Sequence, residues 1–103
     1  MFKKVFATRL KQARTAAGLS QKELGLRIGI SCSSASGRMN HYEKGRHLPD
    51  METLGKMAEE LSVPIAYFFC ESDDMAELVT LFSKMSEEER VKCLESLKQF
   101  RKV

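Results

Sequence analysis

Nowhere in this chain do polar and apolar residues alternate over a length useful for a β-strand, which excludes a sheet-based core. No uninterrupted apolar run approaches the length of a membrane span, and the opening MFKKVFATRLK carries too much charge for a secretory signal. Cysteine is scattered: Cys32, Cys70 and Cys93 are odd in number and lack CxxC spacing. Neither a disulfide framework nor a zinc site is expected, and the pattern fits a reducing, cytoplasmic compartment. The two histidines, His41 and His47, stand six apart, a poor spacing for a shared metal. A Gly-rich phosphate loop, clustered carboxylates of catalytic kind and internal repeats are all missing. The one Cys–His combination, Cys32 with His41, would lack an orienting third group. Catalysis and a bound cofactor are therefore not expected, and no small-molecule effector is indicated.

What is present suits one helical domain. A chain of 103 residues supports a single core, and 43% hydrophobic with 30% charged residues is a globular composition rather than a disordered one. The net charge of +3 conceals a division. Residues 1–48 hold ten Lys or Arg against two acids, a net +8, whereas residues 49–103 hold seven against twelve, a net −5.

Helices can be read in order. Phe6, Leu10, Ala13 and Ala17 recur on one face of a first helix from Phe2 to Ala17, with Arg9, Lys11 and Arg14 on other faces and Gly18 as the stop. Ser20 followed by Glu23 is a capping box that opens a second helix, with Leu24, Leu26 and Ile28 as its apolar stripe and Gly29 as its end. A polar run from Ser31 to Gly37 leads into Arg38-Met39-Asn40-His41-Tyr42-Glu43-Lys44-Gly45. There Met39 and Tyr42 share an inward face, and Arg38, Asn40 and His41 project elsewhere. Asp50 caps a fourth helix, with Leu54, Met57, Ala58 and Leu61 inward. Pro64 starts a short fifth helix whose Ile65, Phe68 and Phe69 close the core. Met75–Met85, after the acidic break at Glu71–Asp74, and a last helix capped by Ser86 and Glu89 complete the chain.

Two short helices joined by a tight turn, the second lined with donors, make a shape that fits the DNA major groove. LSQKELGLRIGIS followed by MNHYEKGRHLPDMETLGKMAEELSVP resembles the helix-turn-helix of the XRE group, which includes phage repressor and Cro proteins. The resemblance runs from about Arg9 to Phe69 and implies an all-α fold: a lambda-repressor-like five-helix DNA-binding domain over residues 1–70. Residues 71–103 form a C-terminal extension of two further helices. In one respect the chain departs from the pattern. Family members usually reach the Tyr-Glu pair about four residues sooner after the turn, close to one helical turn. Cys32 to Ala35 are the excess, and they either lengthen the third helix at its start or enlarge the loop before it.

The resemblance also implies roles. Ser36, Gly37 and His41 match base-reading positions, with Arg38 and Asn40 beside them; Asn and Arg are bidentate partners for adenine and guanine edges. Ser20 and Gln21, at a helix start, match phosphate contacts. Lys44, Arg46 and His47 suit phosphates on the far side of the groove. Arg14 and Glu43 match a structural salt bridge between the first helix and the recognition helix.

The leading expectation is a sequence-specific regulator of transcription, of bacterial or phage origin, acting on double-stranded DNA. A repressor dimer on a near-palindromic operator is the form expected, because apolar residues of the last two helices exceed what a five-helix core needs. An antitoxin-like protein-interaction module that also binds DNA is the alternative.

Overall fold

The computed structural model describes residues 1–102, and every regular element among them is helical. The elements are α1 (Phe2–Ala16), α2 (Gln21–Arg27), α3 (Ala35–Glu43) and α4 (Met51–Leu61). A 3-10 turn (Ile65–Phe69), α5 (Asp73–Ser83) and α6 (Glu87–Phe100) follow. The starts follow local chemistry. Ser20 and Ser86 each accept from the amide three residues on, and Glu23 and Glu89 reach back to their cap amides, so both capping boxes form. Asp50 accepts from the Thr53 amide at 2.8 Å, and Ser72 accepts from Met75. Such caps contribute about 1 kcal/mol each.

The ends are as regular. Ile30 donates to the Gly25 carbonyl at 2.9 Å and Gly29 to Leu26 at 3.1 Å. This paired closure demands a left-handed residue, and Gly29 sits at φ 91°. The same pair of bonds closes α1 at Gly18 and α3 at Gly45.

Phe6, Leu10 and Ala13 of α1 meet Leu24 and Ile28, Met39 and Tyr42, Leu54, Met57 and Leu61, and Tyr67 and Phe68 in one core. Phe6 is its hub, edge-on to Tyr42 at 6.4 Å and tilted against Phe68 at 5.5 Å. A fully buried side chain of this size stabilises by about 1.5–3 kcal/mol.

Several expected inward residues face out. Leu26 is 45% exposed, because a seven-residue helix in contact with α3 and α4 buries only a narrow stripe. Ala17 lies beyond the end of α1 and is exposed. The 3-10 turn buries Tyr67 and Phe68, while Ile65 and Phe69 are exposed. Its tighter winding turns Phe69 away from the core, where it stacks on Phe2 at 4.7 Å. Pro64 is the cap of that turn rather than part of it, and α5 starts at Asp73, two residues before the expected Met75.

The largest departure is Arg9. It lies within the core-facing side of α1, 3% exposed. Its Nε donates to the Cys70 carbonyl at 2.8 Å, and its Nη1 donates to Gln12 and to Asp73 Oδ1, both at 2.7 Å. Hydrogen bonding to Arg9 first, and to Gln12 second, holds the Asp73 carboxyl below the usual carboxylate range. One side chain thus ties the start of α5 to α1.

Beyond α5 the chain leaves the core. The Arg90 guanidinium donates to the Phe82 and Ser83 carbonyls at 3.1 and 2.9 Å and lies over the Phe82 ring, joining α6 to the end of α5. No residue of α6 is buried. The radius of gyration is accordingly 15.5 Å, against about 13 Å for a compact chain of this length.

Candidate nucleic-acid interface

The departure between α2 and α3 resolves into both structure types. Cys32 to Ser34 form a turn in which the Ser34 and Ala35 amides both donate to the Ser31 carbonyl, at 3.0 and 2.9 Å. Ala35 is the first residue of α3 and is fully buried. It packs against Gly25 of α2 so closely that a Cβ at residue 25 would lie 2.8 Å from Ala35 Cβ and 2.9 Å from its carbonyl oxygen. That contact sets the approach of the two helices. Ala35, Met39 and Tyr42 then define the inward stripe of α3, leaving Ser36, Gly37 and Arg38 exposed and Asn40 and His41 half-buried.

The side chains divide into two groups. At the α2 end, Gln21 Nε2 donates to Asn40 Oδ1 at 3.4 Å and to Glu43 Oε1 at 3.2 Å. Glu43 receives Arg14 through two bonds, one from Nε and one from Nη2 at 3.0 Å, and Arg14 Nη1 donates to the Leu19 carbonyl at 2.8 Å. The Glu43 side chain is 4% exposed. Hydrogen bonding to Glu43 raises the Arg14 pKa above its ordinary value. A continuous chain of polar contacts therefore runs from α1 through α3 to Gln21 and the outer edge of Asn40.

At the other end, the loop after α3 folds back so that His47 lies 5.6 Å from His41, ring to ring. Arg46 Nη1 lies 3.3 Å from His41 Nδ1. Arg donates only, so any hydrogen bond in this contact has Nδ1 as its acceptor. These two rings, with Gly37 and Arg38, line an open cleft that continues to Asp50 and Thr53 at the start of α4.

Ser20 is engaged in its capping box, with its oxygen accepting from Glu23 at 3.0 Å. Lys44 stands apart from the histidines, at the C-terminal end of α3 beside Met1, Lys3 and Lys4. Sequence order does not place the two lysines of α1 beside Lys44; they become its neighbours where Gly45 approaches the Lys3 carbonyl. Among the described residues no group of three or more His, Cys, Asp or Glu could hold a metal ion, and no helix there is long and apolar enough to cross a membrane.

Comparison with known proteins completes the picture. The model of the family described as helix-turn-helix matches residues 10–68. An uncharacterized transcriptional regulator in the ATPase CF(0) region of Rhodospirillum rubrum is 41% identical over 61 residues, 59% of this chain and 53% of that protein. An uncharacterized HTH-type transcriptional regulator of Sinorhizobium medicae is 32% identical over 62 residues, 60% of this chain and 42% of that protein. The chain thus spans about half the length of these curated relatives or less. The crystal structure of the transcriptional regulator BswR is similar over nearly the whole fold. Its TM-score is 0.83 at 44% identity, covering 90% of this chain and 92% of that one.

Proposed function

Because the chain belongs to the XRE-type helix-turn-helix family of DNA-binding transcriptional regulators, we propose that it is a dimeric, sequence-specific repressor. It acts in the cytoplasm on a near-palindromic operator. The family and fold are those of regulators rather than enzymes.

The observation that carries this reading is the outward side of α3. Ser36, Gly37, Arg38, Asn40 and His41 stand clear of the core on a helix whose pose is set by the Gly25–Ala35 contact. These residues read base edges, Asn40 through its side-chain amide and His41 through its imidazole. Ser20, Gln21, Lys44, Arg46 and His47 take phosphates on either side and position the protein without reading sequence. Residues 1–70 are then the DNA-binding unit, and residues 71–103, exposing Leu78, Leu81, Val91, Leu94 and Leu97, the association surface. Two copies related by a two-fold axis would meet half-sites about one duplex turn apart.

Selection of bound sequences from random duplex DNA supplies the operator and the first test. On that DNA, Arg46→Ala is expected to weaken binding to all sequences alike and to lower the salt slope by roughly one counterion. Asn40→Ala and His41→Ala are expected to change the order of preference among sequences, with a loss of ~1–3 kcal/mol on the best site. Equal proportional losses on specific and non-specific DNA from both kinds of variant would overturn the assignment.

The dimer is tested separately. In sedimentation at micromolar concentration the intact chain is expected to run as a dimer, and a monomer both with and without selected DNA would refute it.

A further inference from the structure

We propose that the chain pairs with a second copy of itself through α6, the two helices running antiparallel across a two-fold axis. This rests on the reading that residues 71–103 self-associate, and adds the surface and the direction.

The surface is the apolar face of α6, which the single chain leaves uncovered. Val91, Leu94 and Leu97 follow one another three residues apart, within one side of the helix, and are 53, 44 and 39% exposed. α6 contributes nothing to the core cluster. A helix of 14 residues is marginal in water by itself. The Ser86–Glu89 capping box and the Arg90 bonds to the end of α5 hold its start, which leaves the apolar face as the surface still to be covered.

The direction follows from charge. α6 begins Glu87-Glu88-Glu89, and its far end carries Lys98, Arg101 and Lys102. Two parallel copies would set acid against acid at one end and base against base at the other. Antiparallel copies, centred near Leu94 to Leu97, set Glu87 and Glu88 of each helix near Arg101 and Lys102 of the other. A two-fold axis makes the same contact twice, so both ends are attractive at once. The occupant that this face fits is therefore its own copy.

Charge reversal in the full chain tests the direction. One variant carries Glu87→Lys and Glu88→Lys, leaving the Glu89 cap intact; a second carries Arg101→Glu and Lys102→Glu. By sedimentation equilibrium at low salt, each alone is expected to dimerise on the order of tenfold more weakly than the parent chain. An equimolar mixture of the two is expected to recover the parent's affinity, which loss of helix in either variant would not permit. Leu94→Glu should abolish the dimer without lowering the melting temperature of the DNA-binding core.

If the two charge variants self-associate as well as the parent, the antiparallel pairing is wrong. If the parent is a dimer but is indifferent to Leu94→Glu, α6 is not the surface, and the dimeric reading survives without it. A parent chain that is monomeric overturns both.

Discussion

Arg14→Ala is expected to cost the folded state about 3–5 kcal/mol, because it strands a carboxylate that is almost wholly buried. The Glu43 side chain is 4% exposed and Arg14 only 14%, so the carboxylate would lose its charged partner in a place where little of it meets solvent. Arg14 also satisfies the Leu19 carbonyl, which loses its donor in the same substitution. For a domain of this size each kcal/mol moves the melting temperature by roughly 4–8 °C, so the variant should melt many degrees below the parent. Replacing Arg14 and Glu43 together by apolar residues is expected to cost less than either single change, since no unpaired charge remains. Thermal denaturation across that double-mutant cycle decides the point: additive losses would mean that the two side chains do not interact.

The second large effect is expected at Gly25. In a helix interior, Gly→Ala alone favours the folded state by up to ~1 kcal/mol. Here the added methyl would meet Ala35 Cβ, O and Cα at 2.8, 2.9 and 3.0 Å. Two of those atoms belong to the backbone, and α3 would have to shift as a body. Overpacking of this kind costs about 1–3 kcal/mol, so the net effect of Gly25→Ala is destabilising, and Gly25→Val more so. DNA affinity should fall further than the loss of folded protein accounts for, because the angle between α2 and α3 changes. A Gly25→Ala chain that melts at the parent's temperature and binds selected DNA as tightly would show that the contact is not what sets that angle.

Much of this architecture follows from short-range pattern. Ser20 with Glu23, Ser86 with Glu89, and Asp50 before its helix are decided within three residues, and all three caps form. Phe6, Leu10, Met39 and Tyr42 recur at helical spacing, and all are buried. The features that escape such reading depend on distant partners. Arg9 looks like a solvated cation until Cys70, 61 residues away, presents its carbonyl. Cys32 to Ala35 could go to helix or loop on local grounds, and the space beside Gly25 brought Ala35 into α3. Phe69 looks like core at an α-helical repeat and faces outward in a 3-10 turn. In α3, the inward placing of Met39 and Tyr42 was legible, and so was the outward placing of Arg38. The bond from Gln21 to Asn40 and the approach of His47 to His41 needed the folded chain.

The polar chain from Arg14 through Glu43 and Gln21 to Asn40 divides the outer surface of α3 into a locked portion and an editable one. Gln21 bonds both Asn40 and Glu43, the residue that keeps α1 and α3 together, so altering Asn40 or Gln21 disturbs the scaffold as well as the outer surface. Ser36, Gly37 and Arg38 carry no such obligation: all three are exposed, and a Cβ added at residue 37 meets no atom within 4 Å. Retargeting this protein to a new DNA sequence, by laboratory evolution or by gene duplication and drift, would therefore begin on the first turn of α3. Asn40 itself would be the last to change.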